Sequence, residues 1–303
     1  MPPLPLLRIG GVPEHYNAPF QKVLLENSDE KLFDWISYPG GTGAMLEALE
    51  KREIDMAVLL TEGSIKHALS TSNSVRILGT YVDNPLPWGV HVSPTSGINT
   101  VEELNDRLVS SSQITRFGVS RFGSGSHLMA IVHATLVGAK MMPKFKVVNN
   151  MDGAAKSMEA GEIDVFLWDI PTADKYTRCN VWKVIGQVAG DWPSFVFLVR
   201  ADEEMDNVLA LSEIVGRVAK ASKALKSGGL ESVQFLCKHF HITENQASQF
   251  LESVSWNCKL EINEKVIQTV IKSLRVSGIV ELDDTSFSIT ELVYPSICRI
   301  IVD

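Results

Sequence analysis

The sequence predicts an α/β fold from three observations: the order of its elements, the type of strand it contains, and a segment that occurs twice. In the first sixty residues, short apolar segments alternate with amphipathic ones, in the order strand, helix, strand, helix that is typical of α/β proteins. Residues 54–60 are almost continuously apolar, as in strands that are buried on both faces of a parallel sheet. A segment that begins at Gly43 is similar to one that begins at Gly153, which indicates two related lobes.

The elements follow from apolar periodicity and from the turn residues that separate them. A first strand ends at the Gly-Gly-Val-Pro run from Gly10, and a second ends at the Pro-Gly-Gly-Thr-Gly run from Pro39. The predicted strands are 6–9, 33–37, 54–60, 88–93, 117–119, 145–148 and 195–200, and a hairpin is predicted for 278–282 with 286–290. The predicted helices are 21–25, 44–51, 100–108, the segment after Ser126, 203–227, 230–240, 243–254 and 265–277, with a capping box of Thr243 and Gln246.

The repeated segments read GAMLEALEKREIDMAVLL and GAAKSMEAGEIDVFLWDI. Each has a Gly-Ala start, a short helix, a Glu-Ile-Asp turn and an apolar strand, and a polar loop is predicted after each strand, at 61–64 and at 168–172. Either the two segments belong to related lobes, or they share only the common composition of β-α units. With the strands at 88–93 and 195–200 as connections, lobe one would comprise residues 1–92 and 198–303, and lobe two residues 93–197.

Composition excludes several classes of function. The chain has 28 basic and 36 acidic residues, a net charge of −8, so nothing in the overall charge attracts nucleic acid or an acidic membrane. The sequence has no long apolar stretch and no basic leader, from which we expect a cytoplasmic protein that does not span a membrane. Four scattered cysteines without metal-ligand spacing predict reduced thiols, no metal and no cofactor. The oligomeric state is left open.

The stretch from Arg116 to Gly138 combines a short strand, a turn of small residues and a helix. The first N–H groups of such a helix lack intrahelical partners, and the helix dipole favours an anion beside them. The alternative is a capped helix without a ligand, because Gly and Ser are ordinary turn residues. If an anion binds here, Gly123 and Gly125 permit its close approach to the backbone. Ser124 and Ser126 supply hydroxyl donors and an N-cap, and Arg121 supplies a positive charge.

Four short motifs carry a resemblance to a known fold family: residues 39–43 before a helix, the Glu-Ile-Asp turns at 53–55 and 162–164, and residues 123–127 at a helix start. With these motifs the chain resembles proteins of the type II periplasmic-binding-protein fold. The branch it resembles contains sulfonate-, taurine- and nitrate-binding proteins, the thiamine-pyrimidine synthases of fungi and an intracellular fungal group of the same fold.

The resemblance implies a two-lobe architecture with two crossover strands, a central cleft and hinge closure over a small-molecule ligand. The cleft residues would follow the carboxyl ends of predicted strands, where open α/β sheets place ligands. The candidate ligand-binding residues are Gly11, Tyr38, Gly41, Thr42, Glu62, Ser64, Arg121, Gly123, Ser124, Gly125, Ser126, His127, Trp168 and Asp169.

The resemblance does not extend to the chemistry of the pyrimidine synthases. Their cofactor-binding lysine and sacrificed histidine would fall on Leu59 and Gly63, and their cysteine-rich run is missing. The sequence is therefore expected to share the synthase fold without the reaction.

Two hypotheses of function remain. The preferred one is a binding protein for a small anionic or heteroaromatic metabolite, with thiamine precursors among the candidates. The alternative is an enzyme of cofactor or vitamin biosynthesis on the same scaffold, with His127 and either Glu62 or Asp169 as acid–base groups. Turnover separates them, because an enzyme returns its ligand chemically changed.

Overall fold

The computed structural model describes residues 6–27, 31–71, 74–110, 114–281 and 288–302. These residues form two compact units: unit 1 lies within Met1–Asn84, Trp192–Ile271 and Leu282–Asp303, and unit 2 within Pro85–Asp191 and Lys272–Glu281. The chain thus passes from unit 1 to unit 2 after Asn84 and returns after Asp191. From the sequence, these passages were expected at residues 92 and 197.

Unit 1 begins with alternating strands and helices, which the sequence predicts up to residue 60; the helix over 61–70 and the strand over 75–82 were not predicted. The elements are β1 (Leu7–Gly11), α1 (Ala18–Glu26), β2 (Phe33–Ser37), α2 (Thr42–Glu50), β3 (Met56–Leu60), α3 (Thr61–Ser70) and β4 (Val75–Val82). Every residue of β3 is buried, which fits its unbroken apolar sequence.

Unit 2 follows with β5 (Trp88–Val92), α4 (Val101–Ser110), β6 (Arg116–Val119), α5 (Gly125–Leu136), β7 (Lys144–Val147), α6 (Met151–Glu159), β8 (Val165–Trp168), α7 (Ile170–Arg178) and β9 (Lys183–Val188). The chain then returns to unit 1 with β10 (Phe195–Arg200), α8 (Met205–Ser227), α9 (Gly229–Phe240), α10 (Glu244–Ser253), β11 (Trp256–Lys259) and β12 (Glu261–Asn263). The last elements are α11 (Glu264–Val276) and β13 (Arg299–Ile301).

The two units share one sheet topology. The sheet of unit 1 has the order β2-β1-β3-β10-β4-β11, and that of unit 2 the order β7-β6-β8-β5-β9. In both, the first three strands are parallel, the fourth is antiparallel to the third, and the fifth is antiparallel to the fourth. In each sheet the fourth strand, β10 or β5, is the first strand along the chain after it passes from one unit to the other. The α/β class predicted from the sequence is confirmed.

The Glu-Ile-Asp turns of the repeat have the same role in both units. Asp55 accepts hydrogen bonds from the backbone N and the side chain of Arg8, at 2.8 Å and 2.7 Å, and its own N donates to the Arg8 carbonyl. Asp164 does the same with Arg116, at 2.8 Å and 2.7 Å. Each aspartate therefore fixes the strand that follows it to the start of a neighbouring strand, which explains why this turn recurs.

The C-terminal helices agree with the periodicity, and the structure adds three short strands there, β11, β12 and β13. Thr243 caps α10, and the capping box with Gln246 is confirmed. β12 pairs with β13 in parallel, a pairing that the sequence did not predict. The hairpin predicted for 278–282 with 286–290 is wrong in its described part: residues 278–281 form no strand, and residues 289–291 form a short 3-10 helix, while 282–287 lie outside the described residues.

The capping box gives the first prediction. Replacement of Thr243 by Ala removes the acceptor of the Gln246 N–H and should cost about 1 kcal/mol of unfolding free energy. Thr290→Ala serves as a surface control, because Thr290 caps no helix and its hydroxyl contacts only the exposed Ser288. Urea denaturation of both variants measures the difference. If both variants lost the same negligible amount of unfolding free energy, the capping box would contribute nothing to the stability of α10.

In the described part of the chain, no helix is both long and apolar enough to span a membrane. The same residues contain no cluster of His, Cys, Asp and Glu that could hold a metal ion. All four cysteines are free thiols.

Candidate functional site

In unit 1, the structure brings together the predicted residues that follow β1 and β2. The Tyr38 N–H donates to the Gly11 carbonyl at 2.9 Å, and the Gly41 N–H donates to the Tyr38 carbonyl at 2.9 Å. Gly41 has a φ of 70°, the left-handed conformation that Gly adopts without strain, and the next residue, Thr42, begins α2. Burial, the larger effect, and the nearby Glu53 raise the pKa of Tyr38 above its usual value.

Gly11 is required for packing. A Cβ at this position would lie 2.2 Å from the indole ring of Trp35. Gly11 is a predicted cleft residue because the family resemblance places the ends of the predicted strands at the cleft. Trp35 packs against it in the structure, so a contact of a ligand with Gly11 remains a prediction.

Glu62 and Ser64 lie in the first turn of α3, where the sequence predicted a polar loop over 61–64; that prediction was wrong. The helix begins directly after β3, because Leu60 is extended and serves as the N-cap residue. This start lies against α2: a Cβ on Gly63 would come within 2.7 Å of Cγ2 of Thr42. Ser64 is fully buried, and its hydroxyl donates to the Leu60 carbonyl at 2.9 Å.

Glu62 is a buried carboxyl at the carboxyl edge of the sheet, 2% exposed. Oε2 accepts a hydrogen bond from Nε1 of Trp192 at 3.0 Å. Burial raises the pKa of Glu62 from 4.5 to about 7, although its own backbone N–H and Trp192 favour the ionised form. The sequence analysis did not select Trp192; its only signal was an aromatic residue just before β10.

In unit 2, the turn from Arg121 to His127 is closed by its own polar groups. The Ser124 hydroxyl donates its one hydrogen to the Arg121 carbonyl at 2.7 Å. The Ser126 hydroxyl oxygen lies 3.1 Å from that of Ser124, so in this pair Ser126 is the donor and Ser124 the acceptor. Ser124 is the N-cap of α5 and accepts from the His127 N–H, as predicted. Both hydroxyl hydrogens are therefore used inside the turn. The groups of the turn that could still donate to an anion are its backbone N–H groups.

His127 also holds this turn. Its Nδ1 accepts a hydrogen bond from the Gly123 N–H at 3.0 Å, and Gly123 has a φ of 80°. The imidazole lies edge-on between the rings of Phe122 and Phe145, with centroids 5.3 Å and 4.7 Å away. Phe122 is 65% exposed at the tip of the turn, and the sequence analysis did not select it.

Two backbone donors at the start of α5 have no partner among the described residues: the N–H groups of Gly125 and Ser126. Both residues are buried. A buried helix start normally satisfies these N–H groups through a cap, water or a ligand. Here the cap serves His127 only, so two donors remain for an anion.

Trp168 and Asp169 lie at the end of β8 and the start of α7. The loop predicted over 168–172 is wrong for most of its length, because α7 begins at Ile170. The Asp169 carboxylate accepts from the Thr172 N–H at 3.0 Å and so caps this helix, while the Trp168 ring stacks on Phe166 at 5.3 Å. Both side chains have structural partners, and their contact with a ligand remains a prediction.

Among solved structures, the fold is that of the periplasmic binding proteins, as the sequence predicts. Within it, a family model described as Ca3427-like periplasmic binding protein matches residues 97–188, most of unit 2. The CA3427 gene product of Candida albicans, described as having the generic periplasmic-binding-protein fold, superimposes with a TM-score of 0.85 at 22% identity over 99% of both chains.

Bacterial binding proteins are similar at lower identity. The alkanesulfonate-binding protein SsuA of Xanthomonas axonopodis pv. citri, bound to MOPS, gives a TM-score of 0.70 at 14% identity over 98% of both chains. The nitrate-binding protein NrtA of Synechocystis PCC 6803 gives 0.70 at 11% identity, over 97% of this chain and 86% of the other. A comparison with curated protein sequences finds no match. At these identities the similarity shows the fold, and the ligand has to be argued from the residues.

Proposed function

We propose that this protein binds a small anionic ligand through the N-terminal turn of α5. The observation that carries the proposal is the pair of N–H groups of the buried residues Gly125 and Ser126, which have no hydrogen-bond partner among the described residues. They stand at the positive end of a twelve-residue helix, and the helix dipole adds to their attraction for negative charge. Arg121, in the same turn, supplies a cation.

The turn is already organised for such a ligand. Ser124, Ser126 and His127 hold its backbone through hydrogen bonds of their own. Preorganised donors lose little conformational entropy on binding, which favours affinity. The similar solved structures include a sulfonate-binding and a nitrate-binding protein, so sulfonates and inorganic oxyanions are the first candidates.

Two finer parts of the proposal come from the family resemblance. The exposed Phe122 ring offers a face for a flat heteroaromatic group, so thiamine precursors are included among the candidates. Hinge closure on binding is the second part, and small-angle scattering with and without ligand measures it as a decrease in the radius of gyration. No observation favours the enzyme alternative, but recovery of the ligand after incubation also detects turnover.

The decisive test removes one N–H and leaves the helix intact. Proline is well tolerated at the first helical position, which Gly125 occupies, and the preceding Ser124 has the extended conformation that proline requires (φ −72°, ψ 164°). Gly125→Pro should lower the affinity for a bound anion about tenfold, the cost of one hydrogen bond to a charged group.

The matched control is Gly125→Ala, which adds a Cβ but retains the N–H. Native mass spectrometry and thermal-shift screening of sulfonates, sulfate, nitrate and thiamine precursors identify a ligand, and calorimetry then compares the variants. Equal affinities for the two variants, or no binding of any candidate by the wild type, would contradict the proposal.

A further inference from the structure

Glu62 is a buried carboxyl without a counter-charge. It is 2% exposed, and none of the ion pairs within the described residues involves it. The side-chain partner of its carboxylate there is a neutral indole N–H, from Trp192. Buried carboxylates are normally paired with a cation or several donors, and unpaired ones occur most often at functional sites.

Further polar atoms without partners lie at the same edge of the sheet. The Thr61 N–H donates to the Ser194 carbonyl at 3.1 Å, which brings these two residues side by side next to Glu62. Both hydroxyls are buried, 0% and 1% exposed, and lack hydrogen-bond partners in the described structure. Such atoms are rare in native proteins, because an unsatisfied buried polar group is costly.

A third such atom follows β1, the strand beside β3. Asn17 is 2% exposed; its amide nitrogen donates to the Val12 carbonyl at 2.8 Å, but its Oδ1 has no partner among the described residues. β1, β3 and β10 are adjacent in the sheet, so the residues after β1 and β3 and those before β10 lie at one edge. This edge therefore presents oxygen acceptors: a carboxylate, an amide oxygen and two hydroxyls.

We infer that this edge of unit 1, at Glu62, binds the positively charged nitrogen of a small molecule, a primary or secondary ammonium. An ammonium has up to three donors and no acceptor, so it complements a set of oxygen acceptors and supplies the missing charge. A second anionic group would be repelled by the carboxylate, and a water molecule would leave the charge uncompensated. The raised pKa of Glu62 in the unliganded protein agrees with a carboxylate that lacks its cation.

The inference rests on the proposed function and extends it, since the protein then recognises a cationic nitrogen besides an anionic group. Three pairs of probes distinguish the inferred ammonium binding from the proposed anion binding: taurine with ethanesulfonate, β-alanine with propionate, and 2-aminoethylphosphonate with ethylphosphonate. In each pair the anion is the same and only the amine differs. Calorimetry at pH 8, where Glu62 is ionised, gives both affinities.

We expect the amine member of the best-bound pair to bind at least tenfold more tightly than its partner. Glu62→Gln, which retains the acceptor for Trp192, should abolish this preference, whereas the exposed Glu47→Gln should retain it. Equal binding of both members by the wild type would overturn the inference and leave the proposed function standing. Failure of all six probes to bind would count against both the proposed function and the inference that depends on it.

Discussion

Replacement of Asp164 by Ala is expected to lower the unfolding free energy by about 3 kcal/mol at pH 7. The side chain is 9% exposed and lies within 3.3 Å of Arg107 and 2.7 Å of Arg116, besides accepting from a backbone N–H. Its loss would remove an acceptor from both guanidinium groups and from the Arg116 backbone N–H, and Arg107, 11% exposed, could regain little water. The higher losses seen for fully buried pairs are not expected, because Arg116 is 40% exposed.

The same ion pairs determine the pH dependence of this contribution. Burial alone raises the pKa of Asp164, but the hydrogen bonds and charges of Arg116 and Arg107 outweigh it and hold the pKa below the ordinary 3.8. An acid whose pKa is lowered on folding stabilises the protein above its unfolded pKa. The contribution is therefore present at neutral pH and is lost as the pH falls below about 4, through the folded pKa.

The control is Glu162→Ala, two residues earlier in the same turn. Glu162 pairs with Lys146, but both side chains are more than 40% exposed, so no measurable loss is expected. In unit 1, Asp55→Ala with Glu47→Ala as its control repeats the experiment. Urea denaturation measures all four variants. If Asp164→Ala and Glu162→Ala behaved alike, the view that the Glu-Ile-Asp turn fixes neighbouring strands would be wrong.

The sequence was sufficient to predict most of the fold, and the repeat shows why. An apolar strand such as β3 is recognisable from five consecutive residues, and the Gly and Asp residues around it mark the turns. The duplicated segment then indicated a second unit of the same design. Five of the described strands were not predicted: β4, β9, β11, β12 and β13. β12 and β13 have only three residues each, and their pairing joins positions about 38 residues apart.

The candidate site could be predicted only in part. The turn before α5 was located from local chemistry, because capping depends on residues three apart. The loops expected after β3 and β8 were wrong because polar residues at a strand end suit a loop and a first helical turn equally well. Trp192 was missed because its partner, Glu62, is 130 residues away, and no local pattern reports such a contact.

Glu62→Gln is expected to change the pH dependence of stability by about 2.5 kcal/mol between pH 5 and pH 8. The carboxyl ionises near 4.5 when it is exposed and at about 7 in the folded protein. Between these values the folded state binds more protons than the unfolded state, so wild-type stability falls as the pH rises through that window. Gln does not ionise, so the variant should gain stability relative to the wild type as the pH rises.

The comparison has to be made as a difference between two proteins, because other groups titrate in the same range. Burial lowers the pKa of His91 from 6.5 to about 4, which reduces stability as the pH falls through this range, the opposite direction. Wild type and Glu62→Gln share His91, so its effect cancels in their difference.

Glu162→Gln is the control. Lys146 lowers the pKa of Glu162, so the difference in unfolding free energy between this variant and the wild type should stay nearly constant from pH 5 to pH 8. A similarly constant difference for Glu62→Gln would mean that Glu62 reaches water, and the argument for a buried carboxylate without a cation would then fail. Urea denaturation without ligand at both pH values decides this before any ligand is known.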